Sequence, residues 1–161
     1  MQAQHQSSSA IEATTPANLK RYRVSESWKD YEVLLEVNFD VLTPDRAAMI
    51  NDYLYDEHTR LMDEGGDVIR VAIRLAGATM IQIMLEQGGT AFTPTFKNVF
   101  GDNPGPSWTR DLHSAEGFGG CEADEKPYGW CGIRVIGANV DVPGFYEVEL
   151  TEITEQAGEW S

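Results

Sequence analysis

Between Asp40 and Asp45 the hydrophobic repeat of this chain switches from two residues to the helical 3.6, so strand and helix must share one fold. Before the switch, Tyr31, Val33, Leu35, Val37 and Phe39 alternate with Glu32, Leu34, Glu36, Asn38 and Asp40, and Tyr22 and Val24 alternate with Arg21 and Arg23. These segments predict two strands joined as a hairpin around Ser25 to Asp30. At the switch, Thr43-Pro44-Asp45 supplies an N-cap hydroxyl, a first-turn proline and a first-turn acid. A helix is expected from there to about Glu64, stopped by Gly65-Gly66, with Ala47, Ile50, Leu54, His58 and Leu61 on its apolar face. A second helix should start at an Asp67 cap and end at Gly88-Gly89. Its apolar residues go most of the way round, so it needs cover on more than one side.

Two more strands are expected near the end of the chain: Gly132 to Val142, then Phe145 to Ile153 after a Pro143-Gly144 turn. The order β-β-α-α-β-β implies an α+β fold, an antiparallel sheet of about four strands with two helices packed on one face. Residues 1–18 are rich in Gln, Ser, Ala and Thr and read as a disordered tail. Residues 19–155 read as a single domain, interrupted by an irregular Gly-, Pro- and aromatic-rich segment, 90–127, in which Phe92, Phe96, Phe100, Trp108 and Phe118 give the second helix part of its cover. Residues 156–161 read as a C-terminal tail.

Charge narrows the function classes. The 161 residues carry 26 Asp and Glu against 12 Lys and Arg, a formal net charge of −14, and a field of that sign opposes direct binding of DNA or RNA. Basic protein surfaces become the favoured partners. The longest apolar run, Val68 to Leu85, is interrupted by Arg70, Arg74 and Gln82, and no leader-like apolar stretch opens the sequence. No membrane association and a cytoplasmic location are the expectations, consistent with only two cysteines, Cys121 and Cys131.

Residue types able to do chemistry are few. In Asp111-Leu112-His113-Ser114 neighbouring side chains point in different directions, so His113 reads as an exposed loop histidine. His113, Cys121 and Cys131, with His58, are zinc-type ligands, yet the spacings of 8 and 10 residues match no structural zinc pattern. Gly117-Phe118-Gly119-Gly120 lacks the Lys-Ser/Thr of a phosphate-binding loop. No catalytic residue, metal or cofactor is expected, and His58 reads as a hydrogen-bonded core histidine.

The acidic residues carry more information. On one continuous helix Asp45, Asp52, Asp56 and Asp63 would form a row spaced about 10, 6 and 10 Å along the axis, with Arg46 and Arg60 to one side beside Glu57 and Glu64. On the sheet, Arg21 and Arg23 should neutralise Glu32 and Glu36 across the hairpin, leaving Glu147 and Glu149 to extend the acidic face. The partner-binding residues expected are therefore Asp45, Asp52, Asp56, Asp63, Glu147 and Glu149, and the partner a basic surface of a protein or nucleoprotein complex.

The run Tyr31-Glu32-Val33-Leu34-Leu35-Glu36-Val37, then Leu42-Thr43-Pro44, Asn51-Asp52, Gly66-Asp67-Val68 and a closing Val-Glu-Leu, resembles an uncharacterised family of short acidic proteobacterial proteins. Members are associated with phages, plasmids and other mobile elements, and the resemblance spans about Arg21 to Ile153. It carries over no catalytic residue. It implies a non-enzymatic accessory protein, of the kind that inhibits a host defence complex (anti-CRISPR or anti-restriction), and the aspartate row on a rigid helix is what would let such a protein mimic a nucleic-acid backbone. Two alternatives are a small hydrolase or metal-dependent enzyme built on His113, Cys121 and Cys131, and a structural homodimer joined through helix 68–87 by Ile73, Met80, Ile81 and Met84.

Overall fold

A computed structural model describes residues 18–120 and 126–153. The tail 156–161, residues 1–17 of the tail 1–18, and Cys121 lie outside the described residues. The elements are β1 (Leu19–Ser25), β2 (Glu32–Asn38), α1 (Pro44–Tyr53), α2 (Glu57–Asp63), α3 (Val68–Glu86), β3 (Thr90–Phe92), α4 (Gly105–Ser114) and β4 (Ile133–Val140). A 3-10 turn at Phe145–Glu147 follows. All strand pairs are antiparallel and the sheet order is β1-β2-β4-β3.

The fold is a mixed α/β arrangement with a four-stranded antiparallel sheet, but its membership differs from the expected one. Phe145 to Ile153 forms no strand: past the 3-10 turn it is an extended arm, with Leu150 fully exposed and Tyr146 96% exposed. Alternation gives a segment strand character, and pairing requires an edge that only tertiary structure offers. The fourth strand is instead β3, three residues within the segment 90–127, held by pairing Thr90 with Val140 and Phe92 with Ala138. The same segment also holds α4.

Helix α3 is the centre of the core. Asp67 accepts from the Arg70 amide as its N-cap, as expected, and the helix runs unbroken for 19 residues to Glu86. With a mean hydropathy of 1.6, α3 has the length and composition of a membrane-crossing helix. In the fold its apolar residues have protein partners: it packs on β1, β2 and β4, with α1 and α4 alongside. Ile73, Met80, Ile81 and Met84 are all buried within this one chain, which leaves none of them as surface for the homodimer once expected through helix 68–87. Of the cover expected from 90–127, Phe92 and Phe118 are buried and Trp108 is half-buried, whereas Phe100 is exposed. Gly77 sits where α3 crosses β1, and a Cβ there would lie 2.4 Å from Val24 Cβ, so only glycine permits this approach.

Val33, Leu35 and Val37 of β2 and Ile133, Val135 and Ala138 of β4 face the helices. Between Leu34 and Leu35 the register slips by one residue opposite Ile136, a bulge that lets Ile136 be buried beside Val135.

Candidate functional site

The sheet's other face holds a buried polar cluster centred on Glu36. Glu36 is 5% exposed, and its carboxylate accepts from Arg21 Nε at 2.9 Å, Arg134 Nε at 2.8 Å and the Tyr128 hydroxyl at 2.7 Å. Burial alone would push this carboxyl up, but the three hydrogen bonds together hold it below the usual value. Burial, then the Glu36 carboxylate, push the Tyr128 hydroxyl up. Arg21 and Arg23 pair with Glu36 and Glu32 as the hairpin register predicts. The cluster ties three strands together, β1 through Arg21, β2 through Glu36 and β4 through Arg134.

His113 is not an exposed loop histidine. It lies in α4, 3% exposed, with Nε2 2.8 Å from the Ile133 carbonyl oxygen, which fixes Nε2 as the proton donor. The segment folds as a helix because Pro104-Gly105-Pro106 opens its first turn and Leu112 and His113 then face the sheet. Asp111 points elsewhere, accepting from Gln87 Nε2 at 3.1 Å, and Ser114 donates to the Arg110 carbonyl. Cys131 is a free thiol, fully buried, and burial pushes it up to about 11. Its sulfur reaches the same Ile133 oxygen at 3.9 Å, so His113 and Cys131 are neighbours in the core. His58 is exposed on α2, far from the core role expected of it. Among the described residues no group of three or more His, Cys, Asp or Glu is placed to hold a metal ion.

The acidic row does not exist as a continuous line. The helix expected to reach Glu64 stops at Tyr53, and a second short helix, α2, starts at Glu57. Arg60 causes much of this: it donates to the carbonyl oxygens of Asn51 and Leu54 at 2.9 Å each and to that of Tyr55, satisfying the orphan acceptors at the end of α1. Asp56 reverses the chain with a left-handed φ of 68°, a conformation aspartate tolerates better than most residues. Asp63 binds Arg74 at 2.6 Å, and Glu64 binds Arg70 at 2.9 Å and Arg74 at 2.8 Å. Arg46 turns to Trp130, donating to its carbonyl and lying over its ring. Neither Arg46 nor Arg60 therefore pairs with Glu57 or Glu64. Glu147 and Glu149 ride on the exposed arm rather than on the sheet, Glu147 accepting from the Gly144 amide.

What the break creates is a corner. Asp52 and Asp56 beside the break, and Asp45 in the first turn of α1, form no ion pair among the described residues, and between Met49 and Met62 the residues Met49, Tyr53, Leu54, Tyr55 and Met62 are exposed, Tyr55 at 95% and Met62 at 80%. Tyr53 donates to Glu116 at 2.8 Å, which pushes its hydroxyl up. Beside the corner a groove of about 410 Å³ runs between α2 and α3, floored by Val71, Leu75 and Ala78 and rimmed by Asp56, Arg60, Asp63 and Arg74. Helical periodicity missed this surface because it carried the apolar stripe straight through Leu54 and His58. An Asp at position 56 just before Glu57-His58-Thr59 was the available sign of a new helix start.

A family model described as "Protein of unknown function (DUF2528)" matches residues 32–150, from β2 through the arm. No curated protein and no solved structure matches the chain.

Proposed function

The chain belongs to this family of unknown function, and we propose that it is a non-enzymatic protein-binding module whose contact surface is the α1–α2 corner. The supporting observation is the concentration of exposed Tyr and Met side chains among the aspartates Asp45, Asp52 and Asp56. Aromatic residues and Met are enriched in interface centres, where they supply most of the binding energy, and carboxylates around them steer a basic partner. A net charge of −14 favours a surface of the kind that otherwise holds nucleic acid, and a host defence complex is a target of that class. With the row broken and Asp63 paired to Arg74, the binding face is a mixed apolar and acidic patch rather than a phosphate-like ladder.

Capture from a lysate of the source cell, with mass spectrometry of what elutes as salt is raised, tests the reading. The wild type should retain a basic, salt-released protein. Both Asp45→Asn/Asp52→Asn/Asp56→Asn and Tyr55→Ala/Met62→Ala should lose it while staying folded. Unchanged capture by both variants would remove the corner as the binding surface.

A further inference from the structure

We propose that the Phe145–Glu147 turn opens and residues 146–152 are donated as a strand to the open edge of β1 in a second copy of the chain, so that two copies exchange arms. Among the described residues β1 is the outer strand of the sheet and its far edge is unpaired. Its even-numbered positions are turned toward β2, as the bond from the Phe39 amide to the Asn18 carbonyl and that from the Glu26 amide to the Tyr31 carbonyl show. Leu19, Arg21, Arg23 and Ser25 therefore present backbone N–H and C=O groups at the open edge. That edge is basic, with Lys20, Arg21 and Arg23 within seven residues.

The arm has the complementary pattern. Tyr146, Val148 and Leu150 alternate with Glu147, Glu149 and Thr151, and the three apolar side chains are between 59% and 100% exposed, a state water disfavours. In one antiparallel register Glu147 faces Arg23 and Glu149 faces Arg21, while Tyr146 faces Val24 and Val148 faces Tyr22. Both arginines already bind one carboxylate, but each is 63% exposed and has donors to spare. On the helix side of β1 a groove of about 60 Å³, lined by Tyr22, Val24 and Ile73 with Arg70 and Arg74 at its rim, receives the apolar row. In its own chain the arm stays exposed and does not dock on this edge, so the strand that covers the edge comes from a second copy. Exchange is reciprocal, which closes a two-fold dimer.

Light scattering on the full chain and disulfide trapping together decide it. The wild type should show a dimer mass, and Glu147→Lys/Glu149→Lys should raise the dimer dissociation constant about tenfold or more. Mixing Arg23→Cys chains with Glu147→Cys chains under oxidation should give a covalent dimer on a non-reducing gel, far more than either variant alone. A monomer mass at every concentration overturns the proposal, as does a dimer without the mixed cross-link. A chain carrying both substitutions that only closes on itself would assign the arm to its own edge and overturn the exchange.

Discussion

Two stretches of this chain begin with equally clear helix starts, and only one runs to its expected end. Thr43 caps α1 and Asp67 caps α3 in the same way, through a side-chain oxygen accepting the amide three residues on. Past the cap they diverge. Helix α3 buries Val71, Ala72, Ile73, Ala76, Gly77, Met80, Ile81 and Met84, so packing holds every turn. Helix α1 buries Ala47, Ile50 and Asn51, and α2 buries nothing. A cap starts a helix, whereas its length is set by how much of each turn the rest of the fold covers.

The comparison breaks most readily at its buried end. Met80→Ala should cost about 2–5 kcal/mol in denaturant unfolding and Met62→Ala about 0.5 kcal/mol or less, since one side chain is sealed in the core and the other lies in water. Comparable losses at both sites would mean that the α2 surface is covered by something, such as a second chain.

Charge sharpens the contrast next. The Glu36 carboxyl is lowered in the fold from its ordinary 4.5, so its stabilising effect is complete above that value and is lost as pH falls through the lower folded value. Glu36→Gln should cost about 1–2 kcal/mol at pH 7, with the gap to wild type narrowing as acidification passes below the ordinary 4.5 toward the lower folded value. Parallel pH profiles for the two proteins would show that the carboxylate's charge is irrelevant to the cluster. At the corner the smallest effect is expected: Asp56→Gly relieves a left-handed backbone at an exposed position and should stabilise by about 1 kcal/mol or less, read as a small rise in Tm. Destabilisation instead would reveal a bond of the Asp56 side chain that the fold requires.

Much of the architecture was legible in the residues, and its failures share a cause. The hairpin, the Arg21 and Arg23 pairings, the Asp67 cap and β4 rest on local pattern or on contacts a hairpin dictates, and all four are found. Three features depend on distant partners and were misread. The arm alternates like a strand without meeting an edge in its own chain, and β3 is a strand only because β4 lies beside it. The helix through Leu54 is ended by Arg60 reaching back to carbonyls that periodicity does not display. The candidate site suffered most, since it consists of the break itself. Charge alone marks Asp45, Asp52 and Asp56 in the sequence, while the exposure of Tyr55 and Met62 is hidden there by a continuous helix that the structure does not contain.

The last strand among the described residues occupies an inner place in the sheet: β4 lies between β2 and β3, with Val37 against Ile133 and Glu32 against Asn139. A chain emerging from the ribosome makes the β1–β2 hairpin early and then holds β2's inner edge open until roughly a hundred further residues have been synthesised, since non-local pairing of this kind is slow to form. During that interval the growing polypeptide carries an unpaired backbone edge beside an uncovered apolar face, the state in which chaperones or proteases first meet it.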